Sequence, residues 1–375
     1  MIDTICLLIP KDKVVMLDLT NQGVSGWNLQ SKTEEYNRFV KNPSKKDLES
    51  GKYYPRLTGY KRKYRQEANI RIEFSIPKLL YMNNLEELEE KDFDEVVNVL
   101  QSRLRDMGVV ASENILRYAS VSAVHFGKNI KLSDGHTVSQ IISEMNKIDL
   151  RKSFDFAKTR FINNGESLYA HTTSHQLVVY DKVADLNKDK KRAIDKDQTE
   201  YQQSLFWELE KRPEKLEIIR FEVRLSHKPK MNSILEKVGY KKNPTFQDIF
   251  KQDIAQKVVQ YYWQTIIKER NLGLFTVQST HKDILRAIYK AEPKIKPNRA
   301  IYLTGLLLLA KDVDGMRELR SITHRKSNER TWFRISKDVR NISKKLSISR
   351  VRDWVSIIDN ELSEYRPIKI KPQDI

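Results

Sequence analysis

In residues 69–75, Ile70, Ile72 and Phe74 alternate strictly with Arg71, Glu73 and Ser75, and this period of two limits the fold more than any other feature. Successive side chains of an extended strand point to opposite sides, so the segment predicts an antiparallel sheet with one apolar and one solvated face. Residues 217–225 repeat the pattern, with Ile219, Phe221, Val223 and Leu225 against Arg220, Glu222 and Arg224. Further strands are expected at 2–9 and 14–17, as an opening pair, and at 118–126 and 174–182. Between them, Val96, Val97, Leu100 and Leu104 have helical spacing, as do Val138, Ile141, Ile142 and Met145 after an Asp134-Gly135 turn. The charged stretch 188–197 reads as an exposed loop or helix face.

Beyond about residue 240 the strand pattern stops. Ala255, Val258, Val259, Tyr262, Trp263 and Ile266 fall at helical spacing, and more helices are expected at 281–291, 298–310, 316–322 and 329–342. Strands giving way to helices indicate an α+β chain, with an α+β domain over 1–240 and a helical, basic domain over 241–375.

Lys and Arg number 68 against 50 Asp and Glu, a net charge of +18, so polyanions, nucleic acid first among them, are the expected partners. Cys6 is the single cysteine, which excludes an intrachain disulfide and a thiolate zinc cluster. Met1-Ile2-Asp3 lacks the basic start of a signal peptide, and the apolar run 301–310 is shorter than a membrane span. A cytoplasmic protein with no membrane partner is therefore expected.

Three strand segments carry groups able to act on a phosphodiester. Tyr180 closes the apolar run Leu177-Val178-Val179 and is followed by Asp181 and Lys182. A phenol with an ordinary pKa near 10 attacks poorly at pH 7 unless assisted, and Lys182, two residues on along the strand, could steady a phenolate or a phosphate. A strand tyrosine otherwise simply packs its ring and hydrogen-bonds its hydroxyl. Glu222 between Arg220 and Arg224 suits an acid holding a divalent cation, with guanidiniums on phosphate oxygens; the same trio also suits a solvated ion-pair ladder. His125 could ligate a metal or be structural. His171 and His175, four residues apart on one strand, would stand about 13 Å apart, too far to share a metal. No His-apolar-His pair occurs.

In residues 329–342, Trp332, Ile335, Val339 and Ile342 form an inward stripe opposite Arg330, Arg334 and Lys337. With a short helix at 316–322 and a turn at 323–327 bearing Arg325 and Lys326, this reads as a helix-turn-helix whose second helix enters a major groove. Lys344, Lys345, Arg350 and Arg352 extend the basic surface.

In order, these segments resemble the gene II replication initiators of filamentous phages. The resemblance rests on Met1-Ile2-Asp3, on residues 70–78 with their Ile76-Pro77-Lys78 close, on the strand ending at Tyr180, on Arg220-Phe221-Glu222-Val223-Arg224, and on residues 330–334. Tyr180-Asp181-Lys182 is also similar to the motif of plasmid rolling-circle initiators. The resemblance implies a nicking domain followed by a DNA-binding domain, and Mg²⁺- or Mn²⁺-dependent cleavage of one strand at an origin with later rejoining. Tyr180 would be the nucleophile, aided by Lys182, and Glu222 a metal ligand. Arg220 and Arg224 would clamp phosphate, and Arg325, Lys326, Arg330, Arg334 and Lys337 would contact DNA. Implied partners are origin DNA, duplex and single-stranded, with a host helicase and polymerase. Where the family carries an Arg-apolar-Asp strand motif, this chain has Ala123-Val124-His125; either His125 ligates the metal or that corner is rebuilt. The other readings are a non-catalytic DNA-binding regulator and an RNA-binding or ribosome-associated factor.

Overall fold

The computed structural model describes residues 1–17, 36–41, 43, 51–62, 68–132, 136–145, 160–162, 167–186, 216–268, 280–312, 315–326, 329–346 and 353–369. The expected Asp134-Gly135 turn and the charged stretch 188–197 lie outside them, as do Arg350 and Arg352.

The fold mixes α and β around one antiparallel sheet. Its strands are β1 (Ile2–Pro10), β3 (Tyr36–Lys41), β4 (Arg56–Arg62), β5 (Ala68–Ser75), β7 (Ser120–Lys131), β8 (Arg160–Ile162), β9 (Ser167–His171), β10 (His175–Asp181) and β11 (Ile218–Leu225). They run in the order β3-β4-β5-β1-β7-β11-β10-β9-β8. The expected opening pair does not form: β2 (Val15–Met16) joins β6 (Val109–Val110) in a separate ribbon, and β1 pairs instead with β5 and β7. The reason is burial, because Ile5, Leu7 and Ile9 need neighbours on both sides to leave water, whereas Val15 stays exposed.

Helices fill the remainder: α1 (Ile76–Tyr81), α2 (Phe93–Asp106), α3 (Glu113–Arg117), α4 (Val138–Met145), α5 (Lys182–Leu186), α6 (Lys228–Lys237), α7 (Phe246–Ile249) and α8 (Gln252–Tyr261), which a π-helical turn, Tyr262–Lys268, continues. Then come α9 (His281–Ala291), α10 (Pro297–Lys311), α11 (Gly315–Lys326), α12 (Glu329–Leu346) and α13 (Asp353–Glu364). Capping boxes start two of them, Thr245 with Asp248 and Thr280 with Asp283, by satisfying backbone N–H groups that the first turn leaves open. The Ile76-Pro77-Lys78 segment opens α1 rather than making a turn, since proline is tolerated where no helical N–H is needed.

The apolar face of the sheet is covered by α6 and α8, which lie on β7 and β11, and by α13 on β7. Phe221 meets Trp263 edge-on at 5.5 Å, and Trp263 meets Trp354 of α13 at 6.4 Å. This core therefore takes in Phe246 to Ile267 and Trp354 to Tyr365. A second core, from Ile284 to Leu346, joins α9, α10 and α12. The first core thus draws on segments both before and after those of the second. In α12 the expected inward stripe is present in part: Ile335, Val339 and Ile342 lie in that second core, whereas Trp332 is outside it, with the Arg320 guanidinium 5.5 Å from its ring centre. The expected turn at 323–327 does not form as such: α11 runs on through Lys326, for no Gly or Pro interrupts it.

Candidate active site

Antiparallel register decides which polar side chains meet. In the β10–β11 pair, Tyr180 lies opposite Arg220 and Val178 opposite Glu222. In the β11–β7 pair, Arg220 faces Asn129, Glu222 faces Gly127 and Arg224 faces His125. Directly paired residues share a sheet face, so Tyr180, Arg220, Glu222, Arg224 and His125 gather on one side. Asp3 joins them through an irregularity in β1, where Ile2 pairs with Phe126 and Thr4 with His125. Asp3 is the extra residue, and such a bulge re-aims a side chain that regular pleating would send to the other face.

This face is not the solvated one that alternation predicts. Glu222 is 2% exposed and Arg220 3%, whereas His125 keeps 24% and Arg224 27% of side-chain exposure. Residues 84 and 85 lie against its Arg220 end: Arg220 Nη1 donates to the Asn84 carbonyl at 3.4 Å, and Asn129 Nδ2 donates to the Leu85 carbonyl at 2.7 Å. The group is closed on the Arg220 side and open on the His125–Arg224 side.

The Tyr180 hydroxyl donates to Glu222 Oε2 at 3.2 Å, and Arg224 Nε donates to Glu222 Oε1 at 2.7 Å. His125 Nδ1 lies 3.6 Å from the same Oε1. Arg220 spans Asp3 Oδ1 (2.8 Å), Asn129 Oδ1 (2.9 Å) and Glu222 Oε2 (3.7 Å). Burial alone would raise the pKa of Glu222, but Arg224 and Arg220 outweigh it and hold the carboxyl well below the usual range. Burial, reinforced by the Arg224 charge, lowers His125 to about 4, so its imidazole is neutral at pH 7. Burial and the Glu222 charge push the Tyr180 phenol well above its ordinary value, so it rests protonated.

Among the described residues, one group has donors close enough to share a metal ion: Asp3, His125 and Glu222, whose ligand atoms all lie within 4.8 Å of one another. Ligands about 2.1 Å from an octahedral ion stand roughly 3 to 4.2 Å apart, and the 3.6 Å between His125 and Glu222 falls in that span. Two carboxylates and a neutral imidazole fit a divalent cation of the Mg²⁺ or Mn²⁺ kind, the imidazole favouring the latter. Asp3 is the member of this group that residue patterns alone miss, because its place depends on a one-residue bulge.

Lys182 lies elsewhere than on the strand face. It opens α5, is fully buried, and donates to Asn84 Oδ1 at 2.8 Å, with its ammonium 5.7 Å from the centre of the Tyr180 ring. His171 and His175 flank the turn between β9 and β10 rather than sharing a strand, and His175 packs edge-on to Tyr262 at 5.9 Å. Arg330, Arg334 and Lys337 are exposed on α12, and Arg325 and Lys326 end α11.

No protein-family model matches the chain, and neither a curated protein nor a solved structure matches it.

Proposed function

We propose that the protein is a DNA-nicking and strand-joining replication initiator, with Tyr180 as nucleophile. The observation that carries this reading is the Tyr180 hydroxyl bonded at 3.2 Å to Glu222, which also belongs to the Asp3–His125–Glu222 group. In the forward step the Tyr180 oxygen bonds to phosphorus and the bond from phosphorus to the 3′ oxygen breaks. The phenol proton leaves by way of Glu222 Oε2, the 3′ oxygen takes a proton from solvent, and a 5′-phosphotyrosyl linkage remains. Joining is the reverse, with a 3′ hydroxyl attacking and the phenol leaving. Asp3, His125 and Glu222 would hold Mg²⁺ or Mn²⁺, which supplies charge to polarise the phosphate and offsets the Glu222 charge that keeps the phenol protonated. Arg224, at the open side, reaches a phosphate oxygen. The exposed cations of α12 grip origin DNA outside the site.

A second reading, a non-catalytic DNA-binding regulator, is favoured by one observation: Arg224 already pairs Glu222 at 2.7 Å, so the ladder is complete without a metal. One experiment separates them. The full chain is incubated with duplex and single-stranded DNAs tiled across the element that encodes it, with EDTA, Mg²⁺ or Mn²⁺, beside Tyr180→Phe. Metal-dependent nicks from the wild type alone, with protein covalently attached to a 5′ end, are expected. Salt-sensitive binding with no nick under any metal would replace this reading with the second.

A further inference from the structure

We propose that Arg220 is a positioning residue rather than a DNA contact: it presents the Asp3 carboxylate to the cation, and Gly127 and Asn129 set where its guanidinium stands. The inference rests on the metal-dependent reading above and deepens it. Arg220 lies on the closed side of the group, 3% exposed, and a phosphate could reach its fork only by displacing Asp3 or Asn129. Asn129 is fully buried and its amide orientation is determined. Its Nδ2 donates to the Leu85 carbonyl at 2.7 Å, which leaves Oδ1 to accept from Arg220 Nη1 at 2.9 Å. Its backbone N–H donates to Glu87 Oε1 at 2.6 Å, tying this contact to the buried Glu87–Lys128 pair.

Gly127 supplies the space. A Cβ built there would stand 2.6 Å from Arg220 Nη2 and 3.0 Å from Cζ. Its backbone is not in the left-handed region, so conformation does not require glycine in the middle of this strand; the close approach of a guanidinium does. Asp3 in turn sits on a bulge, held by Arg220 at 2.8 Å and by the Thr4 hydroxyl at 3.1 Å. Moving the guanidinium therefore releases one of three metal ligands.

The test uses the full chain as wild type, Gly127→Ala, Arg220→Lys and Arg224→Ala. Three quantities are read: Mn²⁺ affinity by electron paramagnetic resonance, oligonucleotide affinity in EDTA, and nicking against Mn²⁺ concentration. Gly127→Ala and Arg220→Lys should bind Mn²⁺ about tenfold or more weakly, as is usual when a residue behind a ligand is lost. Their nicking should recover at high Mn²⁺, and their DNA affinity in EDTA should match the wild type. Arg224→Ala should instead weaken DNA binding. Unchanged Mn²⁺ affinity in both positioning variants, with or without loss of DNA affinity, overturns the inference. Should Gly127→Ala lose its cooperative melt, Arg220→Lys carries the comparison. A wild type that binds no Mn²⁺ sinks the metal reading and this inference with it, whereas one that binds Mn²⁺ but never nicks sinks only the nickase.

Discussion

Tyr180 and His125 are both held in their neutral forms by burial, whereas Arg224 and Arg220 outweigh the same burial at Glu222 and make it an unusually strong acid. For the phenol this sets a direction: the attacking phenolate grows as pH rises, so the nicking rate should climb by about tenfold per pH unit above pH 7 while one deprotonation controls it. A flat profile between pH 7 and 9, measured under single-turnover conditions, would remove that control. For His125 the effect is on stability and lies in the acid range. Its folded value of about 4 lies below the ordinary 6.5, so between these the unfolded chain binds more protons. Stability is therefore complete above about pH 6.5 and falls as pH drops toward 4, by on the order of 1 to 3 kcal/mol for a group this well buried. His175, also lowered to about 4 by burial, contributes in the same window. Urea titrations at pH 7 and 4.5 should show the loss, and His125→Gln should show less of it.

At the scale of elements, α12 presents two faces with separate duties. Ile335, Val339 and Ile342 face α9 and α10 in the second core, while Arg330, Arg334 and Lys337 stay exposed. Asp338 fastens the helix to α10 by a 2.5 Å pair with Arg299 and a 3.2 Å bond from the Tyr302 hydroxyl. Replacing the three exposed cations with alanine should leave the melt unchanged and weaken DNA binding. The slope of log affinity against log salt should shrink by about 2 to 3, near 0.9 per lost phosphate contact. An unchanged slope in a filter-binding titration would take α12 out of the DNA interface.

At the scale of the whole molecule, the chain leaves the sheet core after α8, builds a second core, and returns. The return matters because α13 lies on β7 and on α8 at the apolar face of the sheet. Trp354, Val355, Ile358 and Leu362 complete the apolar layer, and Asp359 accepts from Trp263 Nε1 at 2.7 Å. The Arg366 carbonyl accepts from Lys128 and the Ile368 N–H donates to Glu87, which ties the segment after α13 to β7. A chain ending at Leu346 should therefore lose more than DNA binding. It would strip Trp263 of its Trp354 contact and its bond to Asp359, and exposing large side chains at about 1.5 to 3 kcal/mol each exceeds what a marginal domain tolerates. Circular dichroism melts of that truncation should lack a cooperative transition; a melt like the full chain's would show that the first core closes without α13.

The sequence by itself determined the local elements whose periodicity is strong. Residues 69–75 and 217–225 could only alternate across a sheet, 281–291 is a helix as spaced, and the named elements beyond residue 240 are all helices among the described residues. It also placed Arg220, Glu222 and Arg224 on one side of their strand, because side-chain direction in a strand follows from position alone, whereas the register that adds Tyr180 to that side is tertiary. Only the tertiary structure decided that Arg220 and Glu222 on this side are buried, with Asn84, 136 positions from Arg220, lying against its guanidinium. Only the tertiary structure brought in Asp3, through a bulge that depends on which strands flank β1, and turned Arg220 inward over Gly127. Strand order, register and burial are set by the free energy of packing distant segments together, and a local pattern of residues cannot carry that information.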